Sequence, residues 1–202
     1  MKMPFFASLI IFIIWLTYML SRTRRREEKS KDSFWEKETK ANNTRRKSLD
    51  NLHYITIPFD ELPMQILPED EKIAEYHQIL HSLSDSLIVN LSGITNTDLK
   101  LTYGAPNIDL LIQYDQNYTT LARTLQQWAD YLYQSGYVSE ARCILEYALS
   151  TDTDVSGTYR LLSSIYKKEG CPEKNAELLE QAQNIKSGSR DLIVRILQES
   201  DP

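Results

Sequence analysis

Residues 118–187, YTTLARTLQQWADYLYQSGYVSEARCILEYALSTDTDVSGTYRLLSSIYKKEGCPEKNAELLEQAQNIKS, repeat themselves, and the repetition decides the fold. Gly136 is followed by Ala141, Leu145 and Ala148, and Gly170 by Asn175, Leu179 and Ala182 at the same offsets. The two glycines stand 170 − 136 = 34 residues apart. A fixed period of this size marks a supersecondary unit that stacks on its copy to bury an apolar face. Tyr118, Leu121, Leu125, Trp128 and Leu132 recur three and four apart, the spacing that gathers side chains on one face of a helix. Ser139 to Ser150 predicts the second helix, and Thr151-Asp152-Thr153-Asp154 a turn. Tyr159, Leu162, Ile165 and Tyr166 mark the third helix, Gly170-Cys171-Pro172 the next turn, and Ala176 to Ile185 the fourth.

A helix–turn–helix unit with this period resembles the tetratricopeptide repeat (TPR) family, whose members are mostly scaffolds that hold other proteins. The resemblance covers 187 − 118 + 1 = 70 of the 202 residues. The family's bulky early position falls on Leu125 and Tyr159, and its small residue one turn on falls on Ala129 and Ser163. The aromatic just beyond falls on Leu132 and Tyr166. Ala141 carries the small residue of closest helix approach, where the second copy has Asn175. Thr153 and Ser187 stand where a proline customarily closes each unit. In this family the first helix of each pair faces a groove that holds a peptide. The resemblance therefore implies groove positions at Arg123, Gln126, Asp130 and Tyr133, then at Arg160, Ser164, Lys167 and Lys168. The second set is basic and suits a partner segment with carboxylates. The lysine–asparagine pairing by which some members clamp a terminal carboxylate is not reproduced.

Upstream, the chain carries no charge from Met3 to Leu20, 20 − 3 + 1 = 18 residues. At about 1.5 Å per residue this covers most of a hydrocarbon core of roughly 30 Å, so residues 1–20 are expected to form a transmembrane anchor. Trp15 and Tyr18 lie toward one end, where aromatic rings favour the interface. Arg22, Arg24, Arg25 and Arg26 follow, and positive charge marks the cytoplasmic side. The short amino terminus is then outside, the rest is cytoplasmic, and the four arginines sit at the headgroups of the plasma membrane. A cleaved signal peptide would need the basic cluster on the other flank and a small-residue cleavage site. No later run is comparable, so the protein is expected to be single-pass.

Residues 21–51 are densely charged and nearly lack aliphatic side chains, which predicts a solvated juxtamembrane linker, helical at most around Phe34 to Lys40. In residues 52–68, Pro58, Pro63 and Pro68 forbid a helix and Tyr54 to Ile57 favours extended backbone. Whether this segment occupies the groove stays open. The run FWEKETKANNTRRKSLDNLHYITIPFDELP is similar to the juxtamembrane part of uncharacterised single-pass repeat proteins of clostridial bacteria. That likeness implies a bacterial membrane and no particular activity. Pro68 and Glu69-Asp70-Glu71 open a helix, with Ile73, Tyr76, Leu80, Leu83 and Leu87 as its stripe and an end near Gly93. Asn96 to Tyr103 adds a turn or two. Leu110, Leu111 and Tyr114 lead into Tyr118 as one helix, or as two joined near Gln116-Asn117. These helices fill residues 69–117, and residues 188–202 supply a closing helix with Leu192, Ile193, Ile196 and Leu197. The fold expected is all-α, a TPR-like α-solenoid behind a transmembrane helix.

Charge and side-chain chemistry narrow the function. Residues 1–50 hold 12 Lys/Arg and 6 Asp/Glu, hence +6, while residues 51–202 hold 11 and 22, hence −11. An acidic folded part is a poor match for phosphates, so no nucleic acid is expected. Cys143 and Cys171 have no metal-like spacing and fit free thiols in a reducing compartment. His77, His81 and Asp85 are four apart, a candidate metal edge, but Gln78 stands where H-E-x-x-H would place its glutamate. Solvated flank is the reading adopted for them. There is no P-loop, no G-x-G-x-x-G, no G-x-S-x-G, and only His53, His77 and His81 for acid–base work. No enzyme, cofactor, metal or small-molecule substrate is expected. The sequons at Asn42, Asn90 and Asn117 are chance matches in a cytoplasmic domain. The expectation is a membrane-tethered adaptor whose groove binds a partner protein. The alternatives are a structural subunit of a larger membrane complex and, behind it, a metal sensor or enzyme.

Overall fold

Between Phe5 and Ile57 the chain has neither glycine nor proline, and one helix occupies most of that interval. Helix α1 runs from Pro4 to Asn42, 39 residues. The computed structural model describes residues 4–199, with side chains for 8–23 and 31–199. After α1 come α2 (Glu71–Leu83), α3 (Asn96–Tyr103), α4 (Ile108–Gln134), α5 (Val138–Ser150), α6 (Ser156–Lys168), α7 (Pro172–Gln183) and α8 (Arg190–Glu199). A single 3-10 turn, Ala105–Asn107, precedes α4. The protein is all-α among the described residues, with one isolated bridge between Tyr54 and Val89.

Residues 21–42 of the charged segment expected to be a solvated linker continue α1 as helix, with most of their described side chains exposed. The carboxyl end of α1 is ordered by tertiary contact: Ala41 is fully buried, and Glu38 accepts from Thr97 and Lys100 on α3. Among the described residues, no helix is long and apolar enough to cross a membrane. Residues 1–3 of the expected anchor lie outside the described residues, as do the side chains of 4–7. From Ser8 to Ser21 the uncharged run is 21 − 8 + 1 = 14 residues, or about 21 Å of helix against a core of roughly 30 Å.

The segment after α1 is irregular, as its prolines require, and it is part of the core. Ile57 and Leu62 are buried, Phe59 stacks on His81 at 4.6 Å, and the Tyr147 hydroxyl donates to the Thr56 carbonyl at 3.1 Å. Those contacts fall on α2 and α5, whereas the eight groove positions lie on α4 and α6. Helix α2 is capped by Asp70, whose carboxylate accepts from the amides of Lys72 and Ile73 at 2.9 and 3.1 Å. It ends at Leu83, ten residues before the expected Gly93. Ile88, Val89 and Leu91 are all buried in the loop that follows. Helix α4 is a single helix of 27 residues, so the expected boundary between 117 and 118 falls inside an unbroken element.

From α4 onward each helix packs on the next, and α8 closes the stack on α6 and α7 through buried Ile193 and Leu197. The turns after α4 and α6 are the same motif. Gly136 N–H donates to Tyr133 C=O and Tyr137 N–H to Leu132 C=O; Gly170 N–H donates to Lys167 C=O and Cys171 N–H to Tyr166 C=O. This is the Schellman closure, and it needs positive φ, which is +90° at Gly136 and +72° at Gly170. Buried positions also recur at the 34-residue offset: Leu125 and Tyr159, Trp128 and Leu162, Ala129 and Ser163, Leu132 and Tyr166, Ile144 and Leu178, Ala148 and Ala182. Leu52, Val89, Leu91, Leu99 and Leu111 form a second, smaller cluster under α3.

Candidate functional site

Helices α4 and α6 present the eight groove positions, and they do different work. Arg123, Arg160 and Lys168 are exposed, while Asp130, Tyr133, Ser164 and Lys167 are half-buried. Gln126 is only 8% exposed and belongs to the interior. Its amide oxygen accepts from the buried Thr158 hydroxyl at 2.7 Å and its amide nitrogen donates to Asp130 at 2.9 Å. Thr158, which the repeat pattern does not single out, thus joins α6 to α4. Gly157 explains the fit, because a Cβ there would lie 2.9 Å from the Gln126 amide nitrogen.

At the other end of the face, Lys168 donates to the Tyr133 hydroxyl and places its ammonium 5.0 Å from the ring centre. That hydrogen bond, with a second from Ser164, holds the Tyr133 hydroxyl below the ordinary tyrosine pKa. The arrangement gives a cationic strip, Arg123, Arg160, Lys167 and Lys168; of the nearby carboxylates, Asp130 is engaged by Gln126 and Asp154 lines the cleft beside Arg123. Such a strip can attract carboxylates and hold them by charge-assisted hydrogen bonds. A cleft of about 350 Å³ opens beside Arg123 and Gln126, walled by Tyr118, Ala122 and Val155.

The tyrosines serve packing. Tyr159 donates to Thr153 C=O at 2.9 Å, and burial drives its hydroxyl pKa up. Burial likewise lifts Tyr147 to about 12. Tyr131 donates to Asp70 at 2.6 Å, tying the α2 cap to α4.

His77 is half-buried against a ring, whereas His81 has a ring contact but stays exposed, as expected of a solvated flank. His77 meets Trp128 edge-on at 5.0 Å, and His81 lies flat on Phe59. Asp85 is past the end of α2 and exposed. Among the described residues no group of three His, Cys, Asp or Glu side chains could hold a metal ion. Cys143 and Cys171 are free, half-buried thiols, and burial raises the pKa of Cys143. Arg22 is exposed on α1; the side chains of Arg24, Arg25 and Arg26 lie outside the described residues.

Sequence reasoning missed a larger cleft of about 590 Å³, where the loop after α2 meets the turns around α5–α6 and α7–α8. Asn90 braces it by donating to the Thr151 and Asp152 carbonyls at 3.0 and 2.8 Å. No periodicity announces a cleft made by three loops.

Together the fold and the site define an all-α protein of stacked helical hairpins with a basic strip on an acidic domain. The chain matches no family model, and no curated protein or solved structure is significantly similar to it.

Proposed function

We propose that this chain is a membrane-tethered cytoplasmic adaptor of TPR-like build, whose α4–α6 face takes an acidic segment of a partner protein. The observation that carries the reading is the strip of Arg123, Arg160, Lys167 and Lys168 on a region whose net charge from residue 51 onward is −11. A local reversal of sign on a charged surface selects the opposite charge in a partner and speeds its encounter. The tether is supported by α1, where Leu9 to Leu16 are each between 41 and 66% exposed. A helix apolar on every side lies in a core or in lipid, and no described element covers residues 9–16. Joined to the uncharged residues before Ser8, this run covers most of a bilayer core. Tethering confines the face to the membrane, so a weak contact acts at high local concentration.

The test uses the full chain in lipid nanodiscs, titrated with fluorescent peptides rich in Asp and Glu and with basic peptides of equal length. Acidic peptides should bind, with affinity falling as salt rises, and Arg160→Glu with Lys167→Glu should abolish the binding. Equal binding of both peptide classes, or survival in the double variant, removes the strip as the site. Failure of the chain to enter nanodiscs removes the tether.

A further inference from the structure

We infer that α1 is a stiff arm that holds the helical domain at a set distance and orientation, and that it is not a flexible tether. The inference concerns contacts inside this chain and stands whether or not the apolar end of α1 enters lipid.

Two observations carry it. The helix is continuous from Pro4 to Asn42, so the charged residues between the apolar run and the domain have helical backbone. Helical spacers behave as semi-rigid rods, whereas coils of the same length spread over many end-to-end distances. The carboxyl end is also bolted to the domain on two sides. Along the helix, Lys37 meets Asp98 at 2.8 Å, Glu38 takes hydrogen bonds from Thr97 and Lys100 at 2.6 Å each, and Ala41 is fully buried. The Glu38–Lys100 pair is only about a fifth exposed on either side chain (20% and 19%), which sets it apart from a solvated surface pair.

Beyond the helix the chain turns and clasps the end of α3. Thr44 C=O accepts from Ala105 N–H, and Lys47 N–H donates to Tyr103 C=O, both at 3.0 Å. The buried Asn107 amide donates to the carbonyls of Lys47 and Tyr103 at 2.8 Å each. Gly104, at φ +94°, lets this clasp close: a Cβ there would lie 2.2 Å from Arg45 C=O. A helix held both along its side and by the segment that follows it cannot swivel without breaking partly buried hydrogen bonds.

The consequence is geometric. Leu20 and Lys37 are 37 − 20 = 17 residues apart, about 26 Å of helix. Arg45 to Lys47 lie past the far end, so they cannot fold back to the apolar end of α1. If that end is in the bilayer, a partner must meet the domain at a defined height, and a change in the rotation of α1 would turn the whole domain.

Distances between spin labels in the full chain, in detergent and with Cys143→Ser and Cys171→Ser, test this. Labels on Arg22→Cys and Lys40→Cys report the helix; 40 − 22 = 18 residues should give a narrow distribution near about 27 Å. Labels on Arg22→Cys and Glu177→Cys report the docking and should also give one narrow distribution. Ser33→Pro should broaden both at least about twofold, because proline breaks a helix interior. Glu38→Ala with Ala41→Asp should broaden only the second, since it undocks an intact helix. A broad first distribution in the otherwise unaltered chain overturns the rod. A broad second distribution, or one that the undocking variant leaves narrow, overturns the bolt.

Discussion

The hydroxyl of Thr158 on α6 donates to the amide oxygen of Gln126 on α4 at 2.7 Å, with both residues buried. A position that repeat geometry assigns to a ligand surface is therefore a fastening between consecutive hairpins. Gln126→Ala leaves the Thr158 hydroxyl without its acceptor, at a cost of about 1–3 kcal/mol. Gly157→Ala alone meets the Gln126 side chain, but combined with Gln126→Ala it should gain up to about 1 kcal/mol of helix propensity. Urea denaturation of the two single variants and the double variant would measure this coupling, and additive effects would mean that the two residues do not constrain each other.

Asn175 occupies in the second hairpin the place of the fully buried Ala141 in the first. Its side-chain oxygen is buried with no hydrogen-bond partner. Asn175→Ala should therefore stabilise the protein by about 1 kcal/mol, from relief of the unpaired carbonyl and from better helix propensity. A lower urea midpoint with unchanged slope would show that Asn175 finds a partner in solution.

Glycine replacements should rank by what surrounds them. Gly136 and Gly170 have positive φ but nothing within 4 Å of an added Cβ. Gly136→Ala and Gly170→Ala then cost only the left-handed backbone, about 1–2 kcal/mol each. Gly104→Ala adds a collision with the Arg45 backbone, so it should cost more than either and open the clasp on α3. Comparable losses at all three would show that the close approach at Gly104 relaxes easily.

The two hairpins were legible because a glycine that closes a helix is needed for its backbone freedom and recurs at the period of the unit. The small residues Ala129, Ala141 and Ala148 were legible for a similar reason, since close helix approach leaves no room for others. The length of α1 was not legible. A charged, aliphatic-poor segment reads as solvated unless its partner is known, and the partner of Glu38 is Lys100, 62 positions on. The loop after α2 was hidden in the same way. Leu91 N–H donates to Asp115 at 3.0 Å and Asn117 donates to Leu87 C=O at 2.9 Å, so residues far along α4 hold the loop. At the groove, positions could be carried over from a repeat pattern, but burial could not. Gln126 is interior because Gly157, on another helix, leaves it space.

Acid sensitivity should trace to His77. Its ring packs edge-on against Trp128 at 5.0 Å, and its Nε2 is buried with no partner. Burial first, and the neighbouring His81 second, hold its pKa below the ordinary histidine value. The folded state therefore binds fewer protons than the unfolded chain as pH falls below about 6.5. Stability from this group is complete above that pH and is lost as pH drops toward the depressed folded value. The carboxylates held low, Asp70 chiefly by the Tyr131 hydroxyl and Glu38 chiefly by Lys100, lose their contribution only below the ordinary carboxylate range near about 4. Asp115, raised by burial, has the opposite sign and loses stability as pH rises through its folded value, so it cannot mimic the effect. Urea midpoints between pH 8 and pH 5 should fall with acidification, and His77→Phe should flatten that slope while leaving the midpoint at pH 8 nearly unchanged. An undiminished slope in His77→Phe would remove His77 as the source of the acid response.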